Sequence, residues 1–220
     1  MPDAIVFDLD GTLVETEHVW DTVRRGLATD AGRAWPTDAT QAMMGMSTAE
    51  WSTYLVEVVG LPGTPEEVAR RTVDAMAAHY REGVAVADGA VAAVRRMAER
   101  YPVAIASSSP RQLIDAAVEV LGLTDVLTAT VSTEEVERGK PAPDGYLRAC
   151  ALLGVDPARC VAVEDSPNGL LSARNAGMSV VVIPPPFNAP TAEQLAGAHV
   201  VASLDQLTVD YVEGISPSAS

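Results

Sequence analysis

The sequence predicts an α/β protein, a parallel sheet covered by crossover helices with an all-helical segment inserted after the first strand. Three observations predict it. Short apolar runs alternate with helix-period segments along most of the chain, as they do in βαβ units. Gly122, Gly154 and Gly177 each follow a helical pattern, where a C-terminal stop signal belongs. The first two strand candidates are separated by far more chain than one crossover helix needs.

Taken in order, the strand candidates are residues 4–7, 103–106, 127–131, 160–163 and 179–183, with a weaker edge strand at 199–202. Helical patterns fill 89–100, 110–121, 143–153 and 168–176. Between 16 and 82 the sequence reads as helices only. Thr64-Pro65-Glu66-Glu67 marks one start, with a capping hydroxyl, proline at the first helical position and acids in the first turn. The expected organisation is a Rossmann-like core of residues 1–15 and 83–220 and a helical cap domain of residues 16–82. The cap is expected to act as a lid, 84–88 to form the return connection, and 216–220 to fray. No internal repeat is evident.

At 220 residues the chain is long enough for one sizeable core and a smaller satellite. With 48% hydrophobic and 20% charged residues it has the composition of an ordered globule. A formal net charge of -15 argues against nucleic acid or an anionic membrane as partner. An anionic substrate would need a local cation, which salt screening beyond roughly 8 Å permits. Cys150 and Cys160, the only cysteines, have no histidine or second cysteine pair around them and are expected to be buried reduced thiols. Neither a signal peptide nor a run of membrane-spanning length is present, so a cytoplasmic, monomeric protein is expected.

Asp8-Leu9-Asp10-Gly11-Thr12 closes the first apolar run. Two acids one residue apart at the end of a buried strand serve packing badly and chemistry well. In open α/β sheets the carboxyl ends of the strands border the ligand crevice. Asp8 is placed there to act as a nucleophile, and Asp10, pointing the same way past Leu9, to handle a proton. Three further features fall at the same edge: Ser107-Ser108-Ser109, then Lys140, then Glu164-Asp165. Hydroxyls and free N–H groups ahead of a helix form an anion site, with Ser107 the main donor and Ser108 the second; a serine run there is also ordinary capping. Lys140 is the single lysine among fifteen basic side chains. A compact ammonium touches a carboxylate and a phosphate oxygen at one point, where a guanidinium fork needs more room; chance is the plainer explanation. Crowded carboxylates repel unless a cation stands between them. Mg²⁺ suits such a site, with Asp8, the backbone carbonyl of Asp10 and Asp165 as ligands and Glu164 reaching it through water. An acid-rich surface turn is the alternative for that last segment.

Together these segments resemble the haloacid dehalogenase superfamily of phosphohydrolases, in the subfamily whose helical cap follows the first motif. The similarity runs from about residue 4 to residue 183. Asp8-x-Asp10-Gly11-Thr12, Ser107 and Lys140-Pro141-x-Pro143-Asp144 match its first three motifs, and Glu164-Asp165-Ser166-x-x-Gly169 matches the fourth. The resemblance implies that Asp8 attacks phosphorus to form an aspartyl-phosphate, while Asp10 protonates the departing alcohol and then deprotonates water. It implies that Ser107 and Lys140 hold the transferring oxygens and that Mg²⁺ offsets their charge. Asp10 argues against carbon–halogen cleavage, because a halide leaves without a proton.

Within that family the chain most resembles sugar-phosphate phosphatases and β-phosphoglucomutases, with Glu15 standing where an aspartate is usual. The mutases carry a histidine at the position of Trp20 and an arginine at that of Thr48; neither is present. The loop around Met46, Ser47 and Thr48 suits a neutral or polyol leaving group. The expected activity is Mg²⁺-dependent hydrolysis of a small sugar or polyol phosphate monoester. A phosphomutase is the alternative, and a non-catalytic phosphate-binding regulator is a third reading. His18 reads as a surface or hinge residue. Met43, Met44 and Trp51 read as cap core, and Met46 as a candidate for the substrate cavity. Arg70-Arg71 and Arg95-Arg96 read as solvated helix faces.

Overall fold

In the computed structural model the described residues are 1–43, 46–185 and 189–215. The expected Met44 contribution and the expected fraying of the tail therefore lie outside them. Contacts divide the chain into two compact units, residues 1–15 with 85–220 and residues 16–84.

The larger unit is built on six parallel strands: β1 (Ala4–Phe7), β2 (Val103–Ser107), β3 (Ala129–Ser132), β4 (Cys160–Glu164), β5 (Ser179–Val182) and β6 (His199–Val200). Their spatial order is β3-β2-β1-β4-β5-β6. β1 is therefore central, paired to β2 through Phe7↔Ile105 and to β4 through Phe7↔Val163. The chain runs outward from β1 in one direction and then restarts beside it, so the carboxyl end of β1 lies at the topological switch point. The central strands are buried throughout, which explains why they read as unbroken apolar runs rather than alternating ones.

The smaller unit is all-helical: α1 (Glu17–Asp30), α2 (Ala39–Ala42), α3 (Thr48–Glu57) and α4 (Pro65–Gly83). Ala28, Met43, Trp51, Leu55 and Val68 form its core, with Trp20 and Met46 packed against them. Thr64 Oγ1 accepts from Glu67 N and the Glu67 carboxylate accepts from Thr64 N, the capping box that starts α4.

The remaining helices belong to the larger unit: α5 (Ala90–Ala98), α6 (Arg111–Leu121), α7 (Asp144–Leu153), α8 (Pro167–Asn175), α9 (Ala192–Leu195) and α10 (Val209–Glu213). α7 and α8 cover one sheet face, where Tyr146, Ala149, Cys150, Leu170 and Ala173 pack on Val6, Ala104 and Ala162. Cys150 and Cys160 are free and buried in this layer. Among the described residues no helix is long and apolar enough to cross a membrane. Arg96 corrects one expectation. It is not a solvated face: its guanidinium donates to Leu204 O and Leu207 O at 2.9 Å and ties α5 to the C-terminal segment.

Candidate active site

Strand alternation positions the site's first members. Side chains two apart share a face, so Asp8 follows Ala4 and Val6 onto the α7 side, and Glu164 follows Ala162 onto the same side. Asp8 N donates to Val163 O at 2.9 Å, which extends the β1–β4 ladder by one residue and sets the two acids side by side. Lys140, just ahead of α7, reaches in between them. Its Nζ donates to Asp8 Oδ1 at 2.5 Å and to Glu164 Oε1 at 2.6 Å, with only 6% of the lysine side chain exposed. Asp165 completes the group: oxygen atoms of Asp8, Glu164 and Asp165 lie within 4.8 Å of one another.

Glu164 is the most restrained of the three. Tyr146 Oη donates to its Oε1 at 2.7 Å, while Oε2 accepts from the N–H groups of Asp165 and Ser166 and from Ser166 Oγ. Two glycines make room for these acids. A Cβ on Gly169 would stand 1.8 Å from Glu164 Oε1, and one on Gly11 would stand 2.1 Å from Asp165 Oδ2. Gly11 also has φ +85, a left-handed conformation that side chains rarely adopt.

Asp10 has a second neighbourhood. Ser107 Oγ donates to Asp10 Oδ2 at 3.1 Å and Ser109 Oγ at 2.7 Å, while Ser109 N donates back to Ser107 Oγ. Ser108, expected as the second anion donor, is exposed. Ser109 is the serine that turns inward, which the run of three identical residues concealed. Ser132 Oγ donates to Ser109 O at 2.7 Å and fixes that loop from β3. Tyr146 was also missed, since a tyrosine on a helix's apolar face reads as core; the signal available was that a buried phenol needs a partner.

The electrostatics follow from three carboxylates set against one ammonium. Burial pushes the Asp8 carboxyl up to about 8, against the pull of Lys140 and with help from the charges of Glu164 and Asp10. Burial, then the charges of Asp8 and Glu164, raise Asp165 to about 9. Burial alone would lower Lys140, but the charges and hydrogen bonds of Asp8 and Glu164 outweigh it and hold the ammonium above the ordinary lysine range. Such a site is short of positive charge. A hard divalent cation with oxygen ligands fits the donor set, and Asp8 and Asp165 have carboxylate oxygens to offer it. In the helical unit His18 is exposed and Trp51 is buried.

A parallel sheet with a buried ammonium–carboxylate cluster at its switch point is suited to handling an anionic group beside a divalent cation. The chain belongs to the haloacid dehalogenase-like hydrolases, whose family description matches residues 2–177. It is 32% identical over 218 residues to hexitol phosphatase B of Escherichia coli O157:H7, covering 96% of each chain. It is 29% identical to validoxylamine A 7'-phosphate phosphatase of Streptomyces hygroscopicus subsp. limoneus, covering 97% of this chain and 98% of that one. Among solved structures, CbbY from Rhodobacter sphaeroides in complex with phosphate superposes with a TM-score of 0.86 at 25% identity, over 97% of this chain and 100% of that one.

Proposed function

We propose that this protein is a Mg²⁺-dependent phosphatase that hydrolyses a small sugar or polyol phosphate monoester through an aspartyl-phosphate. The observation that carries the proposal is the contact of the lone lysine with Asp8, in a buried cluster that also holds Asp165. On this reading Asp8 attacks phosphorus, a bond forms from its carboxylate oxygen, and the bond to the ester oxygen breaks. Asp10 gives its proton to that oxygen. It then takes a proton from the water that attacks the aspartyl-phosphate, releasing inorganic phosphate and restoring Asp8. Ser107 and Ser109 hold Asp10 in place for both transfers. Lys140, with Ser108 just past the end of β2, holds the phosphoryl oxygens, and fixed charge and positioning supply most of the acceleration. Asp8, Asp165 and the backbone carbonyl of Asp10 would hold Mg²⁺, which when bound offsets the negative charge gathered by nucleophile and phosphate. The hexitol and validoxylamine A 7'-phosphate activities in the names of two relatives support the sugar and polyol class.

The test is phosphate release from a panel of sugar and polyol phosphates. Turnover is expected with Mg²⁺, none with EDTA, and none in Asp8→Asn, which keeps the wild-type circular dichroism spectrum. Activity retained by Asp8→Asn would overturn the nucleophile assignment. Conversion of β-glucose 1-phosphate to glucose 6-phosphate, with a trace of the 1,6-bisphosphate present, would replace the phosphatase by a mutase.

A further inference from the structure

We propose that Tyr146 is a positioning residue for the phosphate-transfer site: its hydroxyl locks the Glu164 carboxylate against Lys140 Nζ and thereby fixes the ammonium beside Asp8. The inference rests on the assignment of Asp8 and Lys140 above. An ammonium has three N–H donors. The two short bonds go to Asp8 at 2.5 Å and Glu164 at 2.6 Å, and the third N–H has only a long 3.5 Å contact with Tyr146 Oη, which a phosphoryl oxygen can replace. The direction of that third donor is set by the other two, so it is only as well defined as the Glu164 carboxylate.

Tyr146 defines that carboxylate. Both residues are 0% exposed. The phenol donates to Glu164 Oε1 at 2.7 Å and lies 3.5 Å from Nζ, and Nζ stands 5.0 Å from the ring centroid. The tyrosine therefore bounds the ammonium with a π-face and pins its acidic partner with a hydroxyl. Oε2 is already fixed by the Asp165 and Ser166 donors. Without the hydroxyl, Oε1 is held by Lys140 alone, and the two can move together. A displacement of about 1 Å at a reacting centre can cost on the order of 10²-fold in rate. An ordinary core tyrosine, in contrast, would contribute to stability and leave the ammonium where it is.

The test is Tyr146→Phe, assayed where circular dichroism shows both proteins folded. kcat is expected to fall about tenfold while KM changes less than about twofold. Added to Glu164→Gln, the same change should cost less than about twofold more, because the hydroxyl acts through that carboxylate. A kcat within twofold of wild type, a loss confined to KM, or an equal loss in both backgrounds would overturn the proposal. A second readout is independent of turnover. With one lysine in the chain, ¹⁵Nζ-lysine labelling gives a single ammonium resonance. Tyr146→Phe is expected to shift it and speed its hydrogen exchange; an unchanged signal overturns the positioning role. Failure of the phosphatase reading would instead show as absent wild-type turnover with the resonance still responsive to the variant.

Discussion

Lys140 meets Asp8 and Glu164 with one nitrogen, and that economy makes the residue hard to replace. An arginine brings a planar fork whose nitrogens are spread apart, and the space between the two acids is closed by the Tyr146 ring. Lys140→Arg is expected to lower kcat by about 10²-fold or more, the cost of losing an oxyanion donor, as measured by steady-state phosphate release. The position was legible in the sequence because the lysine stands alone among arginines. The serine pair on Asp10 was only half legible. Ser107 ends β2 and was expected to serve the site, but which of its two neighbours turns inward depends on the loop's path, which Ser132 of β3 decides from a distance. Glu164 shows the same limit. Sequence placed it at the rim, whereas its bond to Tyr146 arises only once α7 docks on the sheet.

At the scale of elements, most strands lie where apolar runs put them because a strand buried on both faces has no alternation to misread. β3 begins later than expected. Leu127 N still bonds back to Leu123 O, so the chain is turning there, and the ladder is joined first by Thr128 N bonding to Val103 O. Apolar content alone does not separate such a turn from a strand. α8 illustrates how an element's backbone serves the site. Gly169 lies in its first turn, with the Glu164 carboxylate resting where a side chain would begin. That carboxylate is pinned by Lys140, Tyr146 and Ser166, so a methyl group cannot push it aside without disturbing the lysine. Gly169→Ala is expected to keep the fold and lower kcat about tenfold or more, on the same displacement argument. Wild-type kcat in the variant would show the carboxylate to be free to move.

For the whole molecule, the buried acids make stability depend on pH and on metal. Asp8 and Asp165 have unfolded values near 3.8 and folded values of about 8 and about 9. Between those limits the folded state retains protons that the unfolded state has lost, so stability falls as pH rises, by at most about 1.4 kcal/mol per pH unit for each group. The melting temperature in EDTA is expected to decline from pH 5 to pH 8 through these two groups. Mg²⁺ should raise it, most at the alkaline end where the acids have least hold on their protons. Binding should release protons, measurable by calorimetry in buffers of different ionisation enthalpy. A melting temperature in EDTA that rises over that interval would contradict the assigned burial. The division into a sheet unit and a helical unit was visible in the long helix-only stretch after β1, and its Thr64 start signal is realised as a capping box.

Because all other basic side chains are arginines, the protein offers acylating reagents almost nothing to react with. Its one ε-amine is 6% exposed and protonated between two acids, a state with no lone pair for an activated ester. Amine-directed coupling in native conditions would therefore leave Lys140 unmodified. Amine-reactive reagents would thus leave the chemistry of the site untouched.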